Sequence, residues 1–98
     1  MAGTVFEMNG TTLTAKPEGE LDSMTSPVFE RELRGQLTGA ENVTIDFVNV
    51  EYISSAGLRA LLAVQRSLEG AEMKLIHVSP LIMEIFEMVG FTDMIRIE

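Results

Sequence analysis

Ser54 and Ser55 stand side by side ahead of Ala56 and Gly57, and then come Leu58, Leu61, Leu62 and Leu68, the apolar face of a predicted helix. A serine at the start of a helix has two chemistries open to it. It can cap the first turn by accepting a bond from a backbone N–H. It can also be phosphorylated, which adds about −1.5 to −2 charges at the end of the helix whose dipole favours an anion. Ala56 and Gly57 add little bulk, so another protein can approach the Ser55 hydroxyl and the adjacent backbone closely. A hydrolytic serine would need a base. The only histidine, His77, falls in a predicted strand remote from Ser55, and no Gly-x-Ser-x-Gly elbow occurs. An enzyme is not expected.

The other chemistry-bearing residues form no constellation. Asp and Glu lie on helix faces and in loops without the spacing of a calcium loop or a paired-carboxylate centre, so no metal is expected. Cysteine is absent, which removes disulfides and thiolate sites. No phosphate-binding loop signature is present, and no cofactor is expected. Met83, Met88 and Met94 recur near the C-terminus at a spacing that suits core packing.

A net charge of −8 opposes binding to nucleic acid or anionic lipid, and the seven Lys and Arg residues are scattered along the chain. The longest apolar run, residues 60–64, is far too short to span a bilayer, and the N-terminus lacks a basic flank and an apolar stretch. The expectation is a cytoplasmic protein. Its 98 residues, 46% hydrophobic and 22% charged, suit a single domain over residues 1–98 built on one core.

Positioning Ser55 requires a scaffold, and the residue patterns supply one. Residues 5–8 and 11–15 flank Asn9-Gly10, the favoured pair for a two-residue hairpin turn. After Pro17 and Gly19, Ser26-Pro27 signals a helix start, and Phe29, Leu33 and Leu37 form one apolar stripe that ends near Thr38-Gly39. Residues 43–48 read as a central strand, followed by a loop over residues 49–54 and the helix behind Ser55, which stops at Glu69-Gly70. Residues 74–78 form the next strand. Ser79-Pro80 opens a last helix capped by Gly90, and residues 94–97 form a final strand. The predicted class is α/β: a mixed sheet with an N-terminal antiparallel hairpin, then a parallel βαβαβ run with the helices packed on the sheet.

Three stretches, Gly19-Glu20-Leu21-Asp22, Val43-Thr44-Ile45-Asp46-Phe47 and Tyr52-Ile53-Ser54-Ser55-Ala56-Gly57-Leu58-Arg59, resemble the STAS domain family, specifically the bacterial anti-sigma factor antagonists. The resemblance spans nearly the whole chain. It implies a partner switch: the unmodified protein binds an anti-sigma factor that is also a serine kinase, phosphorylation ends the complex, and a metal-dependent serine phosphatase restores it. The family's acceptor lies two residues before the glycine of an Asp-Ser-Ser/Thr-Gly-Leu pattern, a register that selects Ser55. Two positions depart from that pattern: Ser54 stands where the family carries Asp, and Ala56 where it carries Ser or Thr. By the same resemblance Asp22, Ser23 and Met24, with Ser54, Ala56, Gly57 and Leu58, border the partner surface. Without the family, Asp22 and Ser23 would read as helix caps and Met24 as a hydrophobic staple. The two departures also leave room for an adaptor, a STAS module never phosphorylated and held in a larger signalling or transport assembly.

Overall fold

The structure, a computed structural model, describes residues 3–98. β1 (Thr4–Asn9) and β2 (Thr12–Pro17) pair antiparallel with Asn9 opposite Thr12, so Gly10 and Thr11 form the turn. The turn therefore sits one residue later than the Asn9-Gly10 pair expected. Gly10, at φ +64°, takes the first central position, where a primed turn needs positive φ; Asn9 stays in the strand.

β2 then pairs in parallel with β4 (Asn42–Asp46), β4 with β6 (Glu72–Ile76), and β6 with β7 (Arg96–Ile97), giving a mixed sheet in the order β1-β2-β4-β6-β7. Alternation puts Leu13, Ala15, Val43, Ile45, Met73 and Leu75 on one buried face. Phe29 and Leu33 of α1 (Ser26–Arg34), Leu61 and Val64 of α2 (Ser55–Ser67), and Ile82 and Phe86 of α3 (Pro80–Met88) join them in one core. The Phe86 ring packs against Phe47 and Phe91, its centroid 6.1 and 4.8 Å from theirs. The expected class, with its antiparallel hairpin and parallel crossovers, is the one observed.

Several boundaries differ from the sequence reading, each for a local reason. β4 stops at Asp46 because its carboxylate accepts the Val48 N–H at 3.0 Å, a turn that competes with the ladder. β6 stops at Ile76 because His77 adopts φ +57°, with its ring Nδ1 2.9 Å from Asp46 Oδ1. His77 is thus outside the strand expected to contain it. α1 ends at Arg34, short of Leu37: Gly35 is its C-cap, and the chain leaves through tight three-residue bonds from Gln36 to Leu33 and from Leu37 to Arg34. Ser26 does not cap α1. It is the first helical residue, buried, with no partner for its Oγ. The last strand, expected over residues 94–97, keeps only Arg96 and Ile97 as β7, because the N–H groups of Met94 and Ile95 bond back to the Phe91 carbonyl at 3.0 and 3.2 Å, at the end of a short 3₁₀ turn over Phe91–Asp93.

Two short strands have no counterpart in the sequence pattern. Residues 49–54 were read as a loop, yet Val50–Ile53 is a strand, β5, pairing in parallel with β3 (Gly19–Leu21) in a separate two-stranded sheet.

At α3 the cap-then-proline signal holds: Ser79 Oγ accepts the Ile82 N–H at 3.3 Å, and Gly90 follows the helix at φ +74°. Ser79→Ala is expected to lower stability by about 1 kcal/mol, the usual value of such a cap, as read from urea denaturation.

Candidate functional site

The small β3/β5 sheet builds the site. Leu21 pairs with Ile53 at its end, and each strand runs straight into a loop: Asp22-Ser23-Met24 after β3, Ser54-Ser55 after β5. The Leu21 carbonyl accepts both the Ser54 N–H at 2.9 Å and the Ser54 hydroxyl at 3.3 Å. Two segments more than thirty positions apart are thereby fastened side by side.

Ser54 is the N-cap of α2 in extended conformation, but its side chain makes no cap bond because the hydroxyl is turned to Leu21. Its carbonyl accepts the first helical bond, from the Leu58 N–H at 3.1 Å. Ser55 is the first helical residue and is exposed. Its hydroxyl therefore stands at the positive end of a thirteen-residue helix, with the amides of Ser55, Ala56 and Gly57 preceding the first bonded turn.

Gly57 is buried. A methyl group at its Cα would lie 2.5 Å from Ile53 Cγ1 and 2.7 Å from the Leu21 carbonyl oxygen. The close approach that this glycine permits is to the chain's own β3, whereas the sequence reading had a visiting protein in view. Ala56 is half-buried, and Leu58, also half-buried, packs against the core and anchors the helix.

Across the rim, Asp22 Oδ1 accepts the N–H groups of Met24 and Thr25, both at 2.9 Å, while Thr25 Oγ1 accepts the Asp22 N–H at 3.0 Å and donates to the Glu20 carbonyl at 2.6 Å. This closed loop of bonds leads into α1, whose N-cap is Thr25. The Thr25 and Met24 amides hold the Asp22 carboxyl below the usual carboxylate range, so it remains charged in the folded protein. Ser23 is exposed, and Met24 is 79% exposed and packs no staple. A lowered carboxylate contributes stability that is present above its unfolded pKa and is lost as pH falls through the folded one. Wild-type protein is therefore expected to lose part of its thermal stability below about pH 4, a loss that Asp22→Asn flattens in melting curves taken across the acid range.

Thr25 and Tyr52 escaped the sequence reading as site residues. The Asp-x-x-Thr spacing is the signal that could have found Thr25, because an Asx turn closed by a hydroxyl needs that offset. Tyr52 pairs with Glu20 across the small sheet and is 45% exposed, which depends on a pairing invisible locally. His77 bonds Asp46, not Ser55. Among the described residues no group of three or more His, Cys, Asp or Glu side chains could hold a metal, and no helix is long and apolar enough to cross a membrane.

Known proteins share this fold. The STAS domain model matches residues 5–98. BtrV of Bordetella bronchiseptica, named as an anti-sigma factor antagonist, is 37% identical over 82 residues, covering 81% of this chain and 71% of its own. In three dimensions the chain is similar to an anti-sigma factor antagonist from Mycobacterium paratuberculosis, with a TM-score of 0.90 at 20% identity over 99% of this chain and 85% of that one. It is also similar to the Bacillus cell fate determinant SpoIIAA in its phosphorylated form, with a TM-score of 0.73 at 19% identity over 98% and 91%. At such identities the structural likeness speaks to the fold, and the family match carries the assignment. With the fold and the sequence match in agreement, the chain belongs to the STAS domain family and is similar to anti-sigma factor antagonists.

Proposed function

We propose that the protein is a non-enzymatic, cytosolic anti-sigma factor antagonist whose partner is a serine-kinase anti-sigma factor, and that phosphorylation of Ser55 ends the complex. The observation that carries this reading is the Ser55 hydroxyl: exposed, first in its helix, and next to a residue fastened to the Asp22 loop. The docking surface comprises Asp22, Ser23 and Met24 on one side and Ser54 to Leu58 on the other. Within it Gly57 and Leu58 act from behind, by setting where Ser55 stands. Ser54 replaces a carboxylate with a hydroxyl that braces the rim, which leaves Asp22 as the fixed negative group there.

Phosphorylation requires no refolding in this scheme. The added charge lies where the dipole of α2 favours it by roughly 0.3–1 kcal/mol, so the free protein keeps its fold. Bound, the phosphate must be desolvated or must meet the partner's own charges. A serine phosphatase reverses the step.

Affinity capture from the source cell's lysate tests the scheme, with wild-type and Ser55→Asp baits compared. The expected result is a kinase-type protein retained by the wild type alone that, given ATP, transfers one phosphate to Ser55 by peptide mass mapping. A stable assembly retained equally by both baits and indifferent to ATP would instead establish the unphosphorylated adaptor, the reading that the Ser54 and Ala56 departures favour. Phosphate on Ser54 in place of Ser55 would overturn the assignment of the acceptor.

A further inference from the structure

The helix α3 buries Ile82 and Phe86 but leaves another flank uncovered. Leu81, Ile85 and Met88 recur at the i, i+4, i+7 spacing of one helical stripe, with Leu81 56% and Met88 80% exposed and Ile85 half-buried. Val89, at the C-cap, is exposed as well. Glu84 falls on the same stripe, three residues from Leu81 and four from Met88, and Glu87 follows in the last turn.

The charges around this stripe are all of one sign. Residues 78–95 contain Glu84, Glu87 and Asp93 and no Lys, Arg or His. None of these carboxylates forms an ion pair among the described residues. Glu87 also lies at the negative end of the helix dipole, where a cation is favoured, and no basic residue occupies that last turn. The fold itself therefore gives neither the apolar stripe nor its carboxylates a partner.

We infer that the outward flank of α3 is a second docking surface, which takes a basic amphipathic helical segment of another protein. Apolar side chains of such a segment would cover Leu81, Ile85 and Met88, and its Lys or Arg side chains would pair with Glu84 and Glu87 and complement the helix end. Exposed methionine suits this role, since its unbranched, polarisable side chain adapts to the surface that it meets. A second copy of this chain fits poorly, because a two-fold pairing through the flank would bring the same carboxylates of both copies together. An anionic bilayer is repelled for the same reason. The 3₁₀ turn that follows α3 leads to Met94, whose carbonyl accepts a bond from Gln65 at 3.0 Å. Gln65 lies ten residues along α2 from Ser55, about 15 Å at the helical rise, which sets the chain just beyond the Met88 end of this flank apart from the switch rim.

The test uses the full chain and a named probe: an 18-residue peptide with leucines on one helical face and lysines on the other, followed by ¹H–¹⁵N spectra. The expected result is saturable 1:1 binding with shifts centred on Leu81, Glu84, Ile85, Met88 and Val89. Affinity should fall at least tenfold in Glu84→Lys and in Met88→Ser, both on the surface and checked for unchanged melting, and should be unaltered in Ser55→Asp. Equal binding of a scrambled peptide with the same charge and no apolar face would overturn the inference, as would shifts centred on the Asp22 and Ser55 loops. So would self-association of the free chain that Met88→Ser abolishes, or binding to phosphatidylglycerol vesicles.

Discussion

Gly57→Ala is expected to destabilise the protein by about 2–3 kcal/mol, although alanine is the better helix former by roughly 1 kcal/mol. The reason is placement. The new methyl would stand 2.7 Å from the Leu21 carbonyl and 2.5 Å from Ile53 Cγ1. Ile53 is buried and has no room to retreat, and the Leu21 oxygen is backbone, already accepting both bonds from Ser54. Relief requires the start of α2 to move away from β3, which breaks those two bonds and separates the Ser55 loop from the Asp22 loop. For a domain of this size the loss corresponds to a fall in Tm of roughly 10–20 °C. Thermal and urea melts would read it, and partner affinity should fall with it. A variant as stable as wild type would mean that α2 tolerates displacement and that the rim is not held as described.

Ser55→Asp is expected to weaken partner binding by more than tenfold while changing the stability of the free protein by no more than about 0.5–1 kcal/mol. In the free protein the new carboxylate sits at the N-terminus of α2, exposed to water and favoured by the dipole. In the complex one like-charge contact near 4 Å amounts to about 4 kcal/mol at a surface-like effective dielectric, before salt screening. Half of that exceeds the roughly 1.4 kcal/mol that makes a factor of ten. Ser55→Ala should bind as wild type and resist release by ATP. Calorimetric titration of both variants against the captured partner decides the matter: equal affinities would remove the electrostatic mechanism, and binding of neither would place Ser55 in the contact as a hydrogen-bonding group.

These two expectations differ in how far they were legible beforehand. That Ser55 begins a helix and carries a small, open approach follows from Ser-Ser-Ala-Gly before an apolar helical stripe. The role of Gly57 does not. A glycine near a helix start reads as local permissiveness, and only the presence of β3 beneath it turns it into a packing requirement. Asp22 shows the same division. It does not cap α1, whose N-cap is Thr25; its turn with Met24 and Thr25 is a local pattern of the chain, while its place beside Ser54 depends on Leu21.

Local chemistry thus settled the elements: the Gly10 turn region, the Ser79 cap, the Gly90 stop, the alternation of strands and helices, and the serine at the head of α2. Such features are set by residues within a few positions of one another, so they survive as patterns in one dimension. What only the tertiary structure decided is the pairing of β3 with β5. A three-residue strand and a four-residue strand are too short to show periodicity, and the backbone bonds that join them carry no mark of side-chain identity. That pairing brings the two loops of the rim together.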